Sequence, residues 1–162
     1  LKKTEEGLRV QSFCYSIREM NVGDRVPDFT LPTPNGKEVN FYSFLKGKKC
    51  VILDFWASWC VWCRKESPNV RKVFDTYKAK GVDVISVSFD TNRDQWVKAI
   101  AEDDTPWTQV SDLKSTDEGY LYKWYGLQGI PAIFLIDAQG RIIAKGMRGA
   151  AIEENVKKFL NK

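Results

Sequence analysis

Two cysteines, Cys60 and Cys63, are separated by two residues and are close enough to form a disulfide with each other. Residues 51–57, directly before them, are apolar, β-branched or aromatic except for one aspartate, which predicts a buried strand of a parallel sheet. After them, apolar residues recur at helical spacing, at Val70, Val73, Phe74 and Tyr77. The pair is therefore predicted at the start of a helix, where free N–H groups and the helix dipole favour a thiolate and lower the pKa of Cys60.

A cysteine pair of this spacing has three interpretations. A redox dithiol is the one that the position between strand and helix favours. Half of a zinc site would need two further ligands, but the sequence has no histidine, and its other cysteines, Cys14 and Cys50, form no second pair of this spacing. A purely structural disulfide would gain little stability from so short a loop. We therefore interpret Cys60 and Cys63 as a redox couple, and the lack of histidine excludes an imidazole-activated cysteine nucleophile.

Asp54 is the one charged residue in the predicted strand before the dithiol. A buried carboxylate is unfavourable unless it has a partner or a task, and burial would raise its pKa. We expect Asp54 to accept the proton of Cys63 when that sulfur reacts; the alternative is an aspartate at the strand end that points to solvent. Cys14 and Cys50 are interpreted as packed apolar residues, and a disulfide between them stays open.

Length and composition fit one globular domain. The chain has 162 residues, of which 43% are hydrophobic, and it includes six tryptophans. Its net charge of +4 is spread without a basic run, so we expect no nucleic-acid partner. No apolar run approaches the roughly 18 residues that cross a bilayer. We expect a monomer.

The remaining segments predict alternating strands and helices after a short N-terminal region. Residues 1–20 are predicted to be a tail or a connector helix, and residues 21–162 one domain. Asn35-Gly36 is a strong turn signal and predicts a β-hairpin between 28–31 and 37–40. The further predicted elements are a short helix at 41–45, a strand at 82–89, a helix signalled by Asp90, an edge strand at 107–110, a brief helix before Gly126, strands at 132–136 and 141–145, and a last helix at 152–160.

The segment Asp-Phe-Trp-Ala-Ser-Trp-Cys-Val-Trp-Cys-Arg-Lys-Glu at 54–66 resembles the thioredoxin superfamily. Together with matches near the N-terminal hairpin and at 129–137, it is more narrowly similar to the TlpA/ResA-like extracytoplasmic thiol–disulfide oxidoreductases, over about residues 21–162. One difference lies between the cysteines, because that family commonly has a proline before the second cysteine and this chain has Val61 and Trp62. This dipeptide influences the redox potential in the superfamily, so it bears on the direction of electron flow.

The resemblance implies a fold and roles for two carboxylates. The fold is an α/β thioredoxin fold, in which helices flank a central mixed β-sheet, with an N-terminal β-hairpin extension. Asp54 takes the position of the buried thioredoxin aspartate. Glu66 takes that of a glutamate near the dithiol, and its alternative role is a favourable interaction with the helix dipole in the first turn.

The resemblance also implies a substrate-binding surface beside the dithiol. Ile130–Pro131 occupies the position of a cis-proline that faces the two cysteines in this superfamily, where the backbone of the preceding residue, here Ile130, pairs with the substrate chain. Trp59 and Trp62 are expected to border the exposed sulfur as an apolar docking rim. The alternative for both tryptophans is a place in the core.

The implied function is thiol–disulfide exchange with proteins. Cys60 attacks a substrate disulfide as a thiolate, and Cys63, deprotonated with the help of Asp54, releases the reduced product. No bound cofactor and no metal are expected, because the dithiol itself carries the two electrons. The resemblance further implies disulfide-containing protein substrates, an upstream thiol electron donor such as a membrane thiol transporter, a location in the periplasm or cell envelope, and a part in cell redox homeostasis, with cytochrome c maturation as one family role.

Two other functions stay open from the sequence. A thiol peroxidase of the peroxiredoxin type shares the fold but requires a Thr-x-x-Cys arrangement at the first helix, which the residues before Cys60 lack. A non-catalytic interaction domain would carry the dithiol as a vestige. The joint presence of Asp54, Cys60, Cys63 and Pro131 argues against that second alternative.

Overall fold

The described part of the chain, residues 19–162 of the computed structural model, begins with a short extended segment and a β-hairpin. Strands β1 (Thr30–Pro32) and β2 (Glu38–Asn40) pair antiparallel around a turn that contains Gly36. The hairpin is where the sequence predicts it, although both strands are shorter than expected. The tail or connector helix predicted for residues 1–20 lies outside the described residues, apart from its last two positions, and so does Cys14.

A five-stranded mixed sheet forms the centre of the molecule. Its strands are β3 (Cys50–Trp56), β4 (Val82–Ser88), β5 (Thr108–Val110), β6 (Ala132–Asp137) and β7 (Ile142–Lys145), in the spatial order β5-β4-β3-β6-β7. β4 runs parallel to β3 and β5, whereas β6 is antiparallel to β3 and β7. Every residue of the central strand β3 except Asp54 is buried, because both faces of this strand are covered.

Helices connect the strands and cover the sheet. Within residues 19–162 the α-helices are α1 (Phe41–Leu45), α2 (Val61–Tyr77), α3 (Arg93–Asp103), α4 (Tyr120–Trp124) and α5 (Ala150–Leu160). Pro68 lies inside α2 without ending it. The side chain of Asn92 caps α3 by accepting the N–H of Gln95, so the cap lies two residues after Asp90.

The core is divided into two layers, one on each face of the sheet. Val51, Leu53 and Phe55 of β3 belong to one layer. Cys50 and Ile52 belong to the other, where they pack with residues of α2 and α5, namely Val70, Val73, Ile152 and Val156. Because successive side chains of a strand point to opposite faces, Asp54 lies on the same face as Cys50 and Ile52. The one carboxylate of β3 therefore lies on the face that α2 and α5 cover.

Residues 23–26, before the hairpin, run along the outer edge of β7. The N–H of Gly23 donates to the carbonyl of Ile142 at 2.8 Å, and the N–H of Ile142 donates to the carbonyl of Asp24 at 3.0 Å. These bonds pair backbone groups that an edge strand would otherwise present to solvent. The segment before the hairpin is thus part of the folded unit.

Candidate active site

Cys60 and Cys63 form a disulfide at the N-terminus of α2, where the sequence predicts the dithiol. Cys60 is the N-cap residue of this helix, and the N–H of Cys63 donates to its sulfur at 3.2 Å. In the reduced protein the same donor and the helix dipole would stabilise a thiolate on Cys60. The two residues are 7% and 4% exposed, so Cys63 is the less accessible cysteine, as expected.

The turn before Cys60 is held by a buried carboxylate that the sequence analysis missed. Asp90, which is 1% exposed, accepts the Ser58 N–H with both oxygens, at 3.1 and 3.0 Å, and the Ser58 hydroxyl at 2.5 Å. The Ser88 hydroxyl donates to the same carboxylate at 2.5 Å. These bonds fix the turn that presents Trp59 and Cys60. One sequence signal could have revealed Asp90: it comes just after a strand that is parallel to β3. The C-terminal ends of neighbouring parallel strands lie at the same edge of a sheet, so Asp90 is expected near the end of β3.

Arg64, directly after the dithiol, joins the start of α2 to the end of α3. Its Nε and Nη2 donate to the two carboxylate oxygens of Asp103, at 2.9 and 2.8 Å, and its Nη1 donates to the carbonyl of Ser58 at 3.4 Å. Glu102 adds an ion pair at 3.3 Å. The hydrogen bonds to Asp103 raise the pKa of Arg64 above its ordinary value. The positive charge is thus balanced by carboxylates and braces the turn from its other side.

Three apolar side chains beside the disulfide are exposed to solvent. Trp59, Val61 and Trp62 are 62%, 63% and 70% exposed. The ammonium of Lys65 lies 4.5 Å from the centre of the Trp62 ring, a cation–π contact that favours one position of this ring. On their buried side, the two cysteines pack in a cluster that includes Trp56, Ala57, Trp96 and Ala99. Both predicted rim tryptophans therefore lie outside the core, in an apolar patch of the kind that marks interaction surfaces.

Asp54 is a part-buried carboxylate in the middle of β3 and not a residue at the strand end. Burial raises its pKa from 3.8 to about 6. The Ser86 hydroxyl opposes this increase by donating to Asp54 Oδ2 at 2.8 Å. Trp107 Nε1 donates to Ser86 Oγ at 2.8 Å, which leaves the hydroxyl hydrogen of Ser86 directed at Asp54. Two further charges act on the pKa of Asp54, since Arg148 lowers it and Glu66 raises it.

Glu66 contacts the turn between β7 and α5. Its Oε2 accepts the N–H of Gly149 at 2.9 Å and the side-chain amide of Asn69 at 3.0 Å. α2 begins at Val61, and no acidic residue lies in its first turn, so the alternative role of Glu66 at that helix start is wrong. Gly149 is instead the N-cap residue of α5, and Glu66 places its negative charge at the start of that helix.

The 129–131 loop lies next to the dithiol. The peptide bond between Ile130 and Pro131 is cis, as the resemblance implies. The sulfur of Cys60 lies 3.8 Å from the carbonyl oxygen of Ile130. The guanidinium of Arg148 donates to the carbonyl of Pro131. Ile130, Pro131 and Arg148 line one side of a cleft of about 400 Å³. The structure therefore brings together the dithiol and the loop that the sequence assigns to substrate binding.

Residues 19–162 contain no group of three or more histidine, cysteine, aspartate or glutamate side chains arranged to hold a metal ion. In the same part of the chain, no helix has both the length and the apolar character that crossing a membrane requires. Cys50 is a fully buried free thiol, and burial raises its pKa to about 12. It is thus a packed core residue, as interpreted from the sequence. Cys14 and its interpretation as a packed residue lie outside the described part of the chain, and so does the disulfide between Cys14 and Cys50 that the sequence left open.

A mixed sheet with a dithiol between its central strand and the following helix, opposite a cis-proline loop, defines a thioredoxin-fold thiol–disulfide oxidoreductase. Comparison with known proteins gives the same class. A family model described as the AhpC/TSA family matches residues 22–145. The thiol-disulfide oxidoreductase ResA of Bacillus thuringiensis subsp. konkukian is 30% identical over 152 residues, which cover 94% of this chain and 84% of that protein.

Two further matches extend the comparison. The thiol:disulfide interchange protein DsbE of Pseudomonas fluorescens biotype C is 32% identical over 121 residues, covering 75% of this chain and 64% of that protein. The crystal structure of the thioredoxin domain of a thiol-disulfide oxidoreductase from Bacteroides vulgatus superposes with a TM-score of 0.81 at 37% identity, covering 88% of this chain and 100% of that one. The chain belongs to the AhpC/TSA family and is a ResA-like thiol–disulfide oxidoreductase. The fold and the exchange function predicted from the sequence are confirmed.

Proposed function

We propose that the protein works in the reducing direction and transfers two electrons from its dithiol to disulfides of other proteins. The Cys60 thiolate attacks one sulfur of the substrate disulfide, which forms a mixed disulfide and releases the other substrate sulfur as a thiolate. Cys63 then gives its proton to Asp54 and attacks the Cys60 sulfur. That second step releases the reduced substrate and closes the Cys60–Cys63 disulfide.

The observation that carries this exchange mechanism, and the choice of Cys60 as the attacking sulfur, is the position of Cys60 as the N-cap of α2. The N–H of Cys63 donates to its sulfur, so a negative charge on Cys60 would be stabilised by the helix start. A stabilised thiolate is populated at neutral pH, which suits the sulfur that makes the first attack; in the second step the Cys60 sulfur is the one attacked, and the substrate sulfur leaves. Cys63 is the less exposed residue of the two and is assigned the resolving attack.

Asp54 is assigned the role of proton acceptor because of its pKa of about 6. At neutral pH about nine-tenths of such a group is ionised, so it is ready to accept a proton, and its affinity for that proton is higher than that of an ordinary carboxylate. Glu66 is assigned an indirect role through its charge, since its hydrogen bonds go to Gly149 and Asn69.

We assign substrate binding to the exposed patch and the loop on either side of the dithiol. Trp59, Val61 and Trp62 offer apolar area for side chains that flank a substrate cysteine. The Ile130 carbonyl lies 3.8 Å from the Cys60 sulfur, which supports a role of the Ile130 backbone in pairing with an extended substrate chain. The substrate class is therefore an accessible disulfide within an extended or unfolded polypeptide segment with apolar neighbours.

The cycle needs an upstream thiol donor that reduces the Cys60–Cys63 disulfide again. Similarity to ResA and DsbE supports a location outside the cytoplasm, in the periplasm or cell envelope, with a membrane thiol transporter as the donor. No bound cofactor is needed, because the two electrons reside on the sulfurs. We keep the monomer as the working state and include cytochrome c maturation among the pathways to test.

The test is single-turnover reduction of a fluorogenic peptide disulfide by the prereduced protein. We expect wild type and the matched control Cys50→Ala to react, and Cys60→Ser to lose the reaction. A reduction potential near about −270 mV, measured across a dithiothreitol series, would support a reductant, whereas a value near about −120 mV would reverse the proposed direction.

Wild type and Cys60→Ser also test the two alternative functions, a thiol peroxidase and a non-catalytic interaction domain. A thiol peroxidase would consume hydrogen peroxide at enzymatic rates while the dithiol is oxidised, and we expect no such turnover. An interaction domain would keep its biological activity after Cys60→Ser, which we expect to abolish that activity. Either contrary result overturns the exchange assignment in favour of the corresponding alternative.

A further inference from the structure

Arg148 lies in the turn between β7 and α5 and reaches back to the 129–131 loop. Its guanidinium donates to the carbonyl of Met147 at 2.9 Å with Nη1 and to the carbonyl of Pro131 with Nη2. β7 ends at Lys145, which pairs with Phe134. The first two residues of β6 therefore have no pairing partner in β7. Arg148 therefore supplies a donor at the point where the neighbouring strand has ended.

The residue after Arg148 contacts the helix that carries the dithiol. The N–H of Gly149 donates to Glu66 Oε2 at 2.9 Å, and Glu66 belongs to α2. Two consecutive residues of one turn thus bind the substrate-facing loop on one side and the dithiol helix on the other. A displacement of this turn would change both.

The same turn acts on the proton acceptor. The groups that influence Asp54 are the Ser86 hydroxyl of β4, Glu66 of α2 and Arg148 of the β7–α5 turn. Arg148 lowers the pKa of Asp54 and Glu66 raises it, so the two charges oppose each other. The positive charge of Arg148 favours the ionised, proton-accepting form of Asp54.

We propose that Arg148 is a positioning residue that couples the substrate-facing 129–131 loop to the proton acceptor Asp54. This inference rests on the proposed exchange function and adds to it a residue that the sequence analysis did not single out. Arg148 touches neither sulfur. It acts through the Pro131 carbonyl on substrate binding and through its charge on the resolving step, so the two effects are separable.

Two substitutions separate the hydrogen bond from the charge. Arg148→Gln has a shorter side chain that cannot make the same hydrogen bond to Pro131, so the KM for a peptide disulfide should rise about fivefold. The variant also lacks the positive charge that lowers the pKa of Asp54, so the pH profile of the resolving step should move to higher pH. Arg148→Lys keeps the charge but loses the planar guanidinium fork, so the KM should rise while the pH profile stays near that of wild type.

Arg93 provides the matched control. It also donates to a proline carbonyl, that of Pro34, at 2.6 and 3.2 Å, but it lies at the start of α3 and is not among the groups that act on Asp54. Arg93→Gln should keep both the KM and the pH profile of wild type. A general effect of removing a surface arginine would appear in this control as well.

A second readout does not need turnover. ¹³C NMR titration of the Asp54 carboxyl in the reduced protein should give a higher pKa in Arg148→Gln than in wild type or Arg93→Gln, and the amide signals of Gly129 and Ala132 should shift in the same variant. If Arg148→Gln fails to fold, the KM of Arg148→Lys tests the proposal instead. An unchanged KM in that variant would mean that the hydrogen bond from Arg148 to the Pro131 carbonyl does not affect substrate binding, which overturns the proposed role of Arg148.

The outcomes distinguish this inference from the proposed function. If wild type reduces the peptide and Cys60→Ser does not, the exchange function stands, and wild-type values of KM and Asp54 pKa in Arg148→Gln overturn the role of Arg148. If wild type itself does not reduce the peptide, the proposed function fails. In that case the NMR titration alone decides whether Arg148 and Asp54 are coupled.

Discussion

Replacing Asp54 with asparagine should make the folded protein more stable at neutral pH. Burial raises the pKa of Asp54 from 3.8 to about 6, so between these values the folded state holds a proton that the unfolded state has lost. Stability therefore falls as the pH rises through this window, and the penalty is complete above about pH 6. At 1.36 kcal/mol for each pKa unit, the difference of about two corresponds to about 3 kcal/mol.

The net gain is smaller than this penalty. The asparagine oxygen still accepts the Ser86 hydroxyl, but its amide hydrogens need a partner, and leaving them unpaired costs about 1 kcal/mol. Asp54→Asn should thus gain about 2 kcal/mol above pH 7, which moves the urea midpoint by roughly 1 M. The resolving step should slow at the same time, because the proton acceptor is lost.

Urea unfolding of the oxidised protein at pH 4 and pH 8 measures this effect. We expect the gain only at pH 8. At pH 4 the carboxyl is protonated in the folded state and still about two-fifths protonated in the unfolded state, so only about a fifth of the penalty is present there. Asp117→Asn, at an exposed aspartate, is the matched control and should change stability at neither pH. The reasoning is refuted if Asp54→Asn is no more stable than wild type at pH 8, or if its gain is the same at both pH values.

Three further predictions concern the dithiol and its surroundings. Cys63→Ser should stop the reaction at the mixed disulfide, so that mass spectrometry detects a covalent peptide adduct that dithiothreitol releases; lack of an adduct contradicts the assigned order of attack. Asp90→Asn should lower the free energy of unfolding by about 1–3 kcal/mol and slow alkylation of Cys60, because the Ser58 turn loses a charged acceptor. Trp62→Ala should raise the KM for a protein disulfide about tenfold but leave the reduction of a small aromatic disulfide unchanged. Equal KM values would exclude Trp62 from the docking surface.

Features with local signals could be predicted from the sequence. The strand before Cys60, the helix after it and the hairpin around Gly36 each follow from residue types within a few positions. The ends of the hairpin could not be predicted in the same way. Asp28, expected to open a strand, uses Oδ1 to accept the N–H groups of Phe29 and Tyr42, at 2.9 and 3.0 Å, and so joins the hairpin to α1.

Contacts between distant positions were missed because no local pattern encodes them. Asp90 and Ser58 are 32 positions apart, and Glu66 and Gly149 are 83 positions apart. Asp90 has the sequence context of a helix cap, and only the packing of β4 beside β3 directs its carboxylate at the turn before the dithiol. Arg148 is one of many basic residues in the sequence, and its contact with Pro131 depends on where β7 ends.

The pairing of residues 23–26 with β7 has a consequence for how this protein is cut into fragments. A fragment that began at the hairpin would keep every strand of the central sheet, yet it would leave the backbone groups of Ile142 open to a strand from another molecule. Such a fragment should aggregate or pair edge to edge, although its dithiol is intact. The smallest soluble unit therefore starts before Gly23, and expression trials with start sites on either side of that glycine would show the boundary.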